Sequence, residues 1–287
     1  MATVRTGPLI GVTGQFALCA AVAWTVGLDL AGWLAGIAYG LVTCATLIRG
    51  LHRSGLAGLG PADRVTLIRA TLIGGVAALT VDSFSRNPPV TVLVAIAAVA
   101  LALAAVDGKV ARRTGTASAF GARFDMEVDA FGILVLSVNA AGPVGWWVLS
   151  IGGMRYVYVV AGWILPWLRG PLPPRYWRKV VAAIQGIVLV VAAAGVLPRA
   201  LSSAALVVSL ALLAESFGRD VTWLWHHRSA RRRGRESVRG RSVRRGRHVD
   251  PALRQREAAA PGGGEPRRRS AGSAGSRSGV AAGSRPQ

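Results

Sequence analysis

Pro89-Val-Thr-Val-Leu-Val-Ala-Ile-Ala-Ala-Val-Ala-Leu-Ala-Leu-Ala104 runs for sixteen residues without a charge. Its valines would suit a strand in water, but the run is longer than an ordinary strand. A chain crossing hydrocarbon must satisfy its own backbone groups, which leaves helices or a closed barrel. Apolar character that is continuous rather than alternating selects the helix. Similar runs recur near 10–28, 31–48, 65–83, 119–140, 143–165, 179–197 and 201–222. Each is close to the roughly 20 residues needed to cross a bilayer core of about 30 Å. The reading is a polytopic, all-α membrane bundle of eight spans. Met1 to Pro8 carries one Arg and no small-residue cleavage site after a short apolar core, so the first run is read as a retained helix.

The charge follows the same plan. The 287 residues carry a formal charge of +21, and half of the 34 Lys and Arg lie from Arg228 onward. Many of the others fall after even-numbered spans: Arg49, Arg53 and Arg64, then Lys109, Arg112 and Arg113, then Arg169, Arg175, Arg178 and Lys179. The opposite connections are nearly neutral. Basic loops mark the cytoplasmic side, so both termini are expected there, in the plasma membrane. Past Arg228 the chain is Arg, Gly, Ser, Ala and Pro with few large apolar residues, a composition that predicts disorder. This tail has no fold or aromatic platform for specific nucleic-acid binding; anionic headgroups are a partner it could lie against. Cys19 and Cys44 sit inside apolar runs without CxxC spacing and read as small buried hydrophobes. Trp146, Trp147, Trp163, Trp167, Trp177, Trp223 and Trp225 cluster near span ends, as interfacial anchors do.

The chemistry is concentrated in Val106-Asp-Gly-Lys-Val-Ala-Arg-Arg-Thr-Gly-Thr-Ala-Ser-Ala-Phe-Gly-Ala-Arg-Phe-Asp-Met-Glu-Val-Asp129. Asp125 and Asp129 are four apart, so on a helix their carboxylates point the same way. Gly121 lies a turn earlier on that face. Asp107 and Ala111 are a turn apart at the end of the fourth span. Clustered acids near hydrocarbon need a positive partner. Mg²⁺ or Mn²⁺, hard cations that prefer oxygen, would serve, and a pair of them would grip a pyrophosphate. Gly108 and Gly121 leave room for a nucleotide or a neighbouring helix, and Arg112 has the fork geometry for phosphate oxygens. The bland alternative is that these acids pair with Arg112, Arg113 and Arg123 at a membrane surface. Glu127 lies about 200° around the helix from Asp125 and faces elsewhere. Arg155, inside the sixth span, is expensive there unpaired, so it reaches the cavity and binds a phosphate, snorkels to the interface, or pairs with an acid.

Asp107-Gly108, Ala111-Arg112, Gly121, Asp125 and Asp129, with eight residues between Arg112 and Gly121, resemble the signature of the CDP-alcohol phosphatidyltransferase family. Asp63 to Arg69, with Thr66 and Arg69, looks like the segment leading into that family's first helix, although Asp63 stands where an Asn is common. The resemblance implies a six-helix catalytic-type core at 61–225, with two additional helices in 1–60 and the basic tail in 226–287. It implies transfer of a substituted phosphate from a CDP-linked lipid donor to an alcohol or phosphoalcohol acceptor, with release of CMP, by a homodimer using two divalent cations. By the same resemblance Asp107, Asp125 and Asp129 are metal ligands and Asp129 is also the base. Thr66, Gly108, Ala111, Arg112 and Gly121 then belong to the CDP site.

The sequence departs from the signature at one position. The first aspartate should stand three residues before Asp107, and that residue is Ala104. A methyl group cannot coordinate a cation, and no acid lies between 83 and 106 to replace it. The expectation is an impaired transferase, with a non-catalytic CDP-lipid-binding or scaffolding relative as the second reading. A transporter would also explain eight helices with buried charge, but not the motif spacing.

Overall fold

In the computed structural model the apolar runs are helices. The structure describes residues 3–55, 58–114, 118–170, 172–173 and 176–247; side chains at 107–112 and from 228 onward lie outside that description. The helices are α1 (Thr3–Val26), α2 (Leu30–Ser54), α3 (Pro61–Asp82), α4 (Val90–Thr114), α5 (Ala119–Val144), α6 (Leu149–Ile164), α7 (Tyr176–Ala194) and α8 (Arg199–Arg247). Among the described residues, seven helices are long and apolar enough to cross a membrane, and Val90–Val106 of α4 forms a shorter apolar stretch. The protein is a polytopic helical membrane bundle.

Local signals set the helix ends. Asp29 caps α2 by accepting from Gly32 N, and Gly55 closes it in the left-handed conformation (φ 64°). Pro61 opens α3, where its missing N–H is no loss. Ser118 caps α5, its hydroxyl accepting from Gly121 N at 2.8 Å.

Helix α3 is the centre: 72% of its membrane-length window is buried, against 17% for α1. It packs against α1, α2, α4 and α5, while α5 also meets α6 and α7. The two N-terminal helices pack closely on each other through small residues. A Cβ on Gly36 would stand 2.6 Å from Cys19 Sγ and one on Gly40 2.8 Å from Gln15 Cγ. Where lipid competes equally well for apolar surface, such close approach is what holds helices together. Gly36→Leu is therefore expected to lift α2 off α1 and lower stability by about 1–3 kcal/mol, read as a fall in Tm of the detergent-solubilised protein.

At the end of the bundle opposite Ser54, the α1–α2 and α3–α4 connections are tied together. Asp29 N donates to Asp82 Oδ1 at 2.8 Å, and the Ser85 hydroxyl donates to Asp29 Oδ2. The Ser85 hydroxyl first, and then the Gly32 N–H, hold the Asp29 carboxyl below its ordinary value of 3.8. A carboxyl depressed on folding contributes stability that is present above its unfolded pKa and lost as pH falls through the folded one. Ser85→Ala should thus lower Tm near pH 6, and the gap from the unaltered protein should close on acidification below about pH 4. A thermal-shift series across that range checks it.

The far end of the chain differs from its composition. Residues 228–247 continue α8 as helix, where low apolar content predicts no regular structure. A helix already formed within the bundle carries no nucleation penalty for extension, and Arg, Ala and Glu extend it readily. The chain divides into two units, Met1–Ser229 and Ala230–Gln287. Residues 248–287 lie outside the described part.

Candidate metal and nucleotide site

The motif acids sit where α3, α4 and α5 come together. Asp125 and Asp129, one turn apart on α5, both bond through Oδ1 to the guanidinium of Arg69, from Nη1 and Nη2 respectively. Arg69 projects from α3 and is 2% exposed, whereas the two carboxylates are 35% and 37% exposed. Its Nε also donates to the carbonyl of Ala100 on α4 at 3.3 Å. One side chain thereby joins three helices. The reason is electrostatic: two carboxylates on one face repel each other, and a guanidinium inside an apolar bundle needs anions.

Arg69 was not among the candidate ligands, although an arginine within an apolar run signals a buried partner. What hid the partners is distance along the chain, 56 and 60 residues. Asp63, at the start of α3, is 4% exposed and accepts from Gly60 N at 3.0 Å. Its Oδ1 lies 2.2 Å from where a Cβ on Gly121 would stand, so at Gly121 the close neighbour is the acidic side chain of α3. Thr66 is buried one turn along α3, and its hydroxyl donates to Ala62 O at 3.3 Å.

The side chains of Asp107, Gly108, Ala111 and Arg112 lie outside the described residues, though the α4 backbone is helical through Thr114. Ala104 is on the same helix, one turn past the Ala100 carbonyl that Arg69 contacts. Glu127, on another face of α5, accepts from Arg155 Nη2, while Arg155 Nη1 lies 3.1 Å from Met126 Sδ. Arg155 therefore pairs across the α5–α6 contact. Arg178 forks onto Asp220, with Nη2 to Oδ1 at 3.1 Å and Nε to Oδ2 at 2.9 Å, tying α7 to α8. Glu215 accepts from Trp177 Nε1 at 3.2 Å and also pairs with Arg219. A small cavity between α1, α2 and α3, lined by residues such as Gln15, Tyr39, Thr43 and Ala70, has no acid in its lining.

The donor set suits a hard divalent cation: two carboxylates at a partly open position, already converging on a positive group. Among the described residues no group of three potential metal ligands is assembled, and Asp107 falls outside that set. The described pair alone supplies too few ligands for a divalent cation, and Asp107 is on the adjoining helix α4.

A helical membrane bundle whose carboxylates converge beside a buried arginine defines a class of intramembrane acidic sites. The chain belongs to the CDP-alcohol phosphatidyltransferase family, whose model matches residues 61–214, more than half of its length. That is a transferase family, its members in general depend on divalent metals, and the chemistry it implies is phosphatidyl transfer from a CDP-alcohol to an alcohol acceptor. No curated protein and no solved structure matches the chain.

Proposed function

We propose that this protein moves a phosphatidyl unit from CDP-diacylglycerol to the hydroxyl of an alcohol or phosphoalcohol, releasing CMP, in phospholipid synthesis at the plasma membrane. The observation that carries the reading is the convergence of Asp125 and Asp129 on one positive point, inside the span that the family model matches. Asp107, Asp125 and Asp129 would hold Mg²⁺ or Mn²⁺. Bound there, the cations would polarise the diphosphate and stabilise the departing phosphate. Asp129 takes the proton of the acceptor hydroxyl. The acceptor oxygen forms a bond to the phosphorus that carries diacylglycerol, the bond from that phosphorus to the CMP oxygen breaks, and CMP leaves with the electron pair. Thr66, Gly108, Ala111, Arg112 and Gly121 shape the CDP side of the site, and Arg155, paired with Glu127 in this structure, would bind a phosphate of donor or acceptor once released.

The six-helix core is 61–225, flanked by the N-terminal pair in 1–60 and the basic segment 226–287. Both termini are cytoplasmic, the protein acts as a homodimer, and the basic segment meets anionic headgroups. One observation favours a second reading, a CDP-lipid-binding relative without turnover: Ala104 stands where the signature has its first aspartate. The deciding assay supplies CDP-diacylglycerol with Mn²⁺ or Mg²⁺ and a panel of acceptor alcohols to the purified protein. CMP formed with one acceptor class supports the transferase. Donor binding without CMP from any acceptor favours the non-catalytic relative.

A further inference from the structure

Arg69 engages both described motif carboxylates of α5. It is buried on the most enclosed helix, it bonds both Asp125 and Asp129, and its Nε donates to a carbonyl one turn from Ala104. A carboxylate oxygen engaged in a charge-assisted bond to guanidinium is poorly available to a metal, because both interactions use the same lone pairs. The neighbouring surface of α4, where another acid would strengthen the pull on a divalent ion, offers a methyl group at Ala104. Asp125 and Asp129 share one guanidinium.

The geometry points to Arg69 as an internal counter-cation, a latch that holds Asp125 and Asp129 in the metal-free protein and competes with divalent metal for them. This rests on the assignment of those aspartates as metal ligands. Arg69 acts through the carboxylates and is a positioning residue. It keeps two like charges together on one face when no metal neutralises them, and it must yield when one arrives. The arrangement makes metal affinity lower, and metal-free stability higher, than the carboxylates alone would give.

The test uses the full-length protein in detergent, with bound Mn²⁺ read by electron paramagnetic resonance and Tm read with EDTA or with Mn²⁺. Arg69→Gln removes the competing charge, and Mn²⁺ affinity should rise about tenfold or more, since a unit positive charge a few ångströms away no longer opposes binding. Its Tm in EDTA should fall, and the rise in Tm on adding Mn²⁺ should exceed that of the unaltered protein. Arg69→Lys keeps the charge but cannot fork across two carboxylates, so an intermediate gain in affinity is expected. It decides the matter if Arg69→Gln does not accumulate as folded protein. Affinity unchanged or weakened in these variants, with Asp129→Asn still abolishing Mn²⁺ binding, overturns the latch and leaves the metal site standing. Absence of Mn²⁺ binding in every variant overturns both.

Discussion

Asp129→Asn should reduce CMP release by about 10³-fold or more, the largest effect expected of any single change here. Two losses combine. Proton removal by a placed base contributes about 10²–10⁴-fold, and an amide in place of a carboxylate also removes one charge from the cation ligands. Asparagine keeps the size and shape of the side chain, so the helix is unchanged. The variant leaves Arg69 with Asp125 as its described carboxylate partner, and a modest fall in Tm should accompany the loss of activity. Glu215→Gln is the matched control. It also removes a carboxylate from an intramembrane helix, but one on α8 engaged with Arg219 and with Trp177 of α7. Its activity should stay within about twofold, because a half-exposed pair of this kind is worth little. Equal losses in the two variants would mean that the bundle, and not the site, is being read.

The opposite change is expected at Ala104. Ala104→Asp should raise CMP release by about 10²-fold, equivalent to roughly 2.7 kcal/mol of transition-state stabilisation at 1.36 kcal/mol per factor of ten. Ala104 lies one turn from the carbonyl that Arg69 contacts, so a carboxylate there enters the same junction of α3, α4 and α5. It would supply another oxygen to a cation and add negative charge against which Arg69 competes less well. The two variants belong in one experiment, since Asp129→Asn measured in the Ala104→Asp background has a higher starting activity from which to fall. Unchanged CMP release with Mn²⁺ at saturation would show that the missing carboxylate is not what limits the chain. In that case the non-catalytic reading gains.

Much of the candidate site was legible along the chain because its residues are spaced for one helix. Asp125 and Asp129 share a face by period alone, and Glu127 falls on another face for the same reason. The structure divides them accordingly, Asp125 and Asp129 to Arg69 and Glu127 to Arg155. Arg155 left three alternatives open from sequence; in the structure it is paired with an acid. Asp63 read as a departure from a common asparagine and turned out to press on Gly121. No local pattern announces that contact, because its two members belong to different helices.

The sequence by itself determined that this is a helical membrane bundle, where the helices lie, and which acids share a face. Those properties depend on hydropathy and on a 3.6-residue period, both of which are local. Tertiary structure decided that α3 is the centre and that Arg69 bridges Asp125 and Asp129. It also decided that α2 packs closely on α1 through Gly36 and Gly40. Each of these needs separate helices to meet at a fixed angle and depth. Lipid solvates every apolar helix alike, so hydropathy cannot rank one partner above another. Close packing of small residues and the pairing of buried charge make that choice.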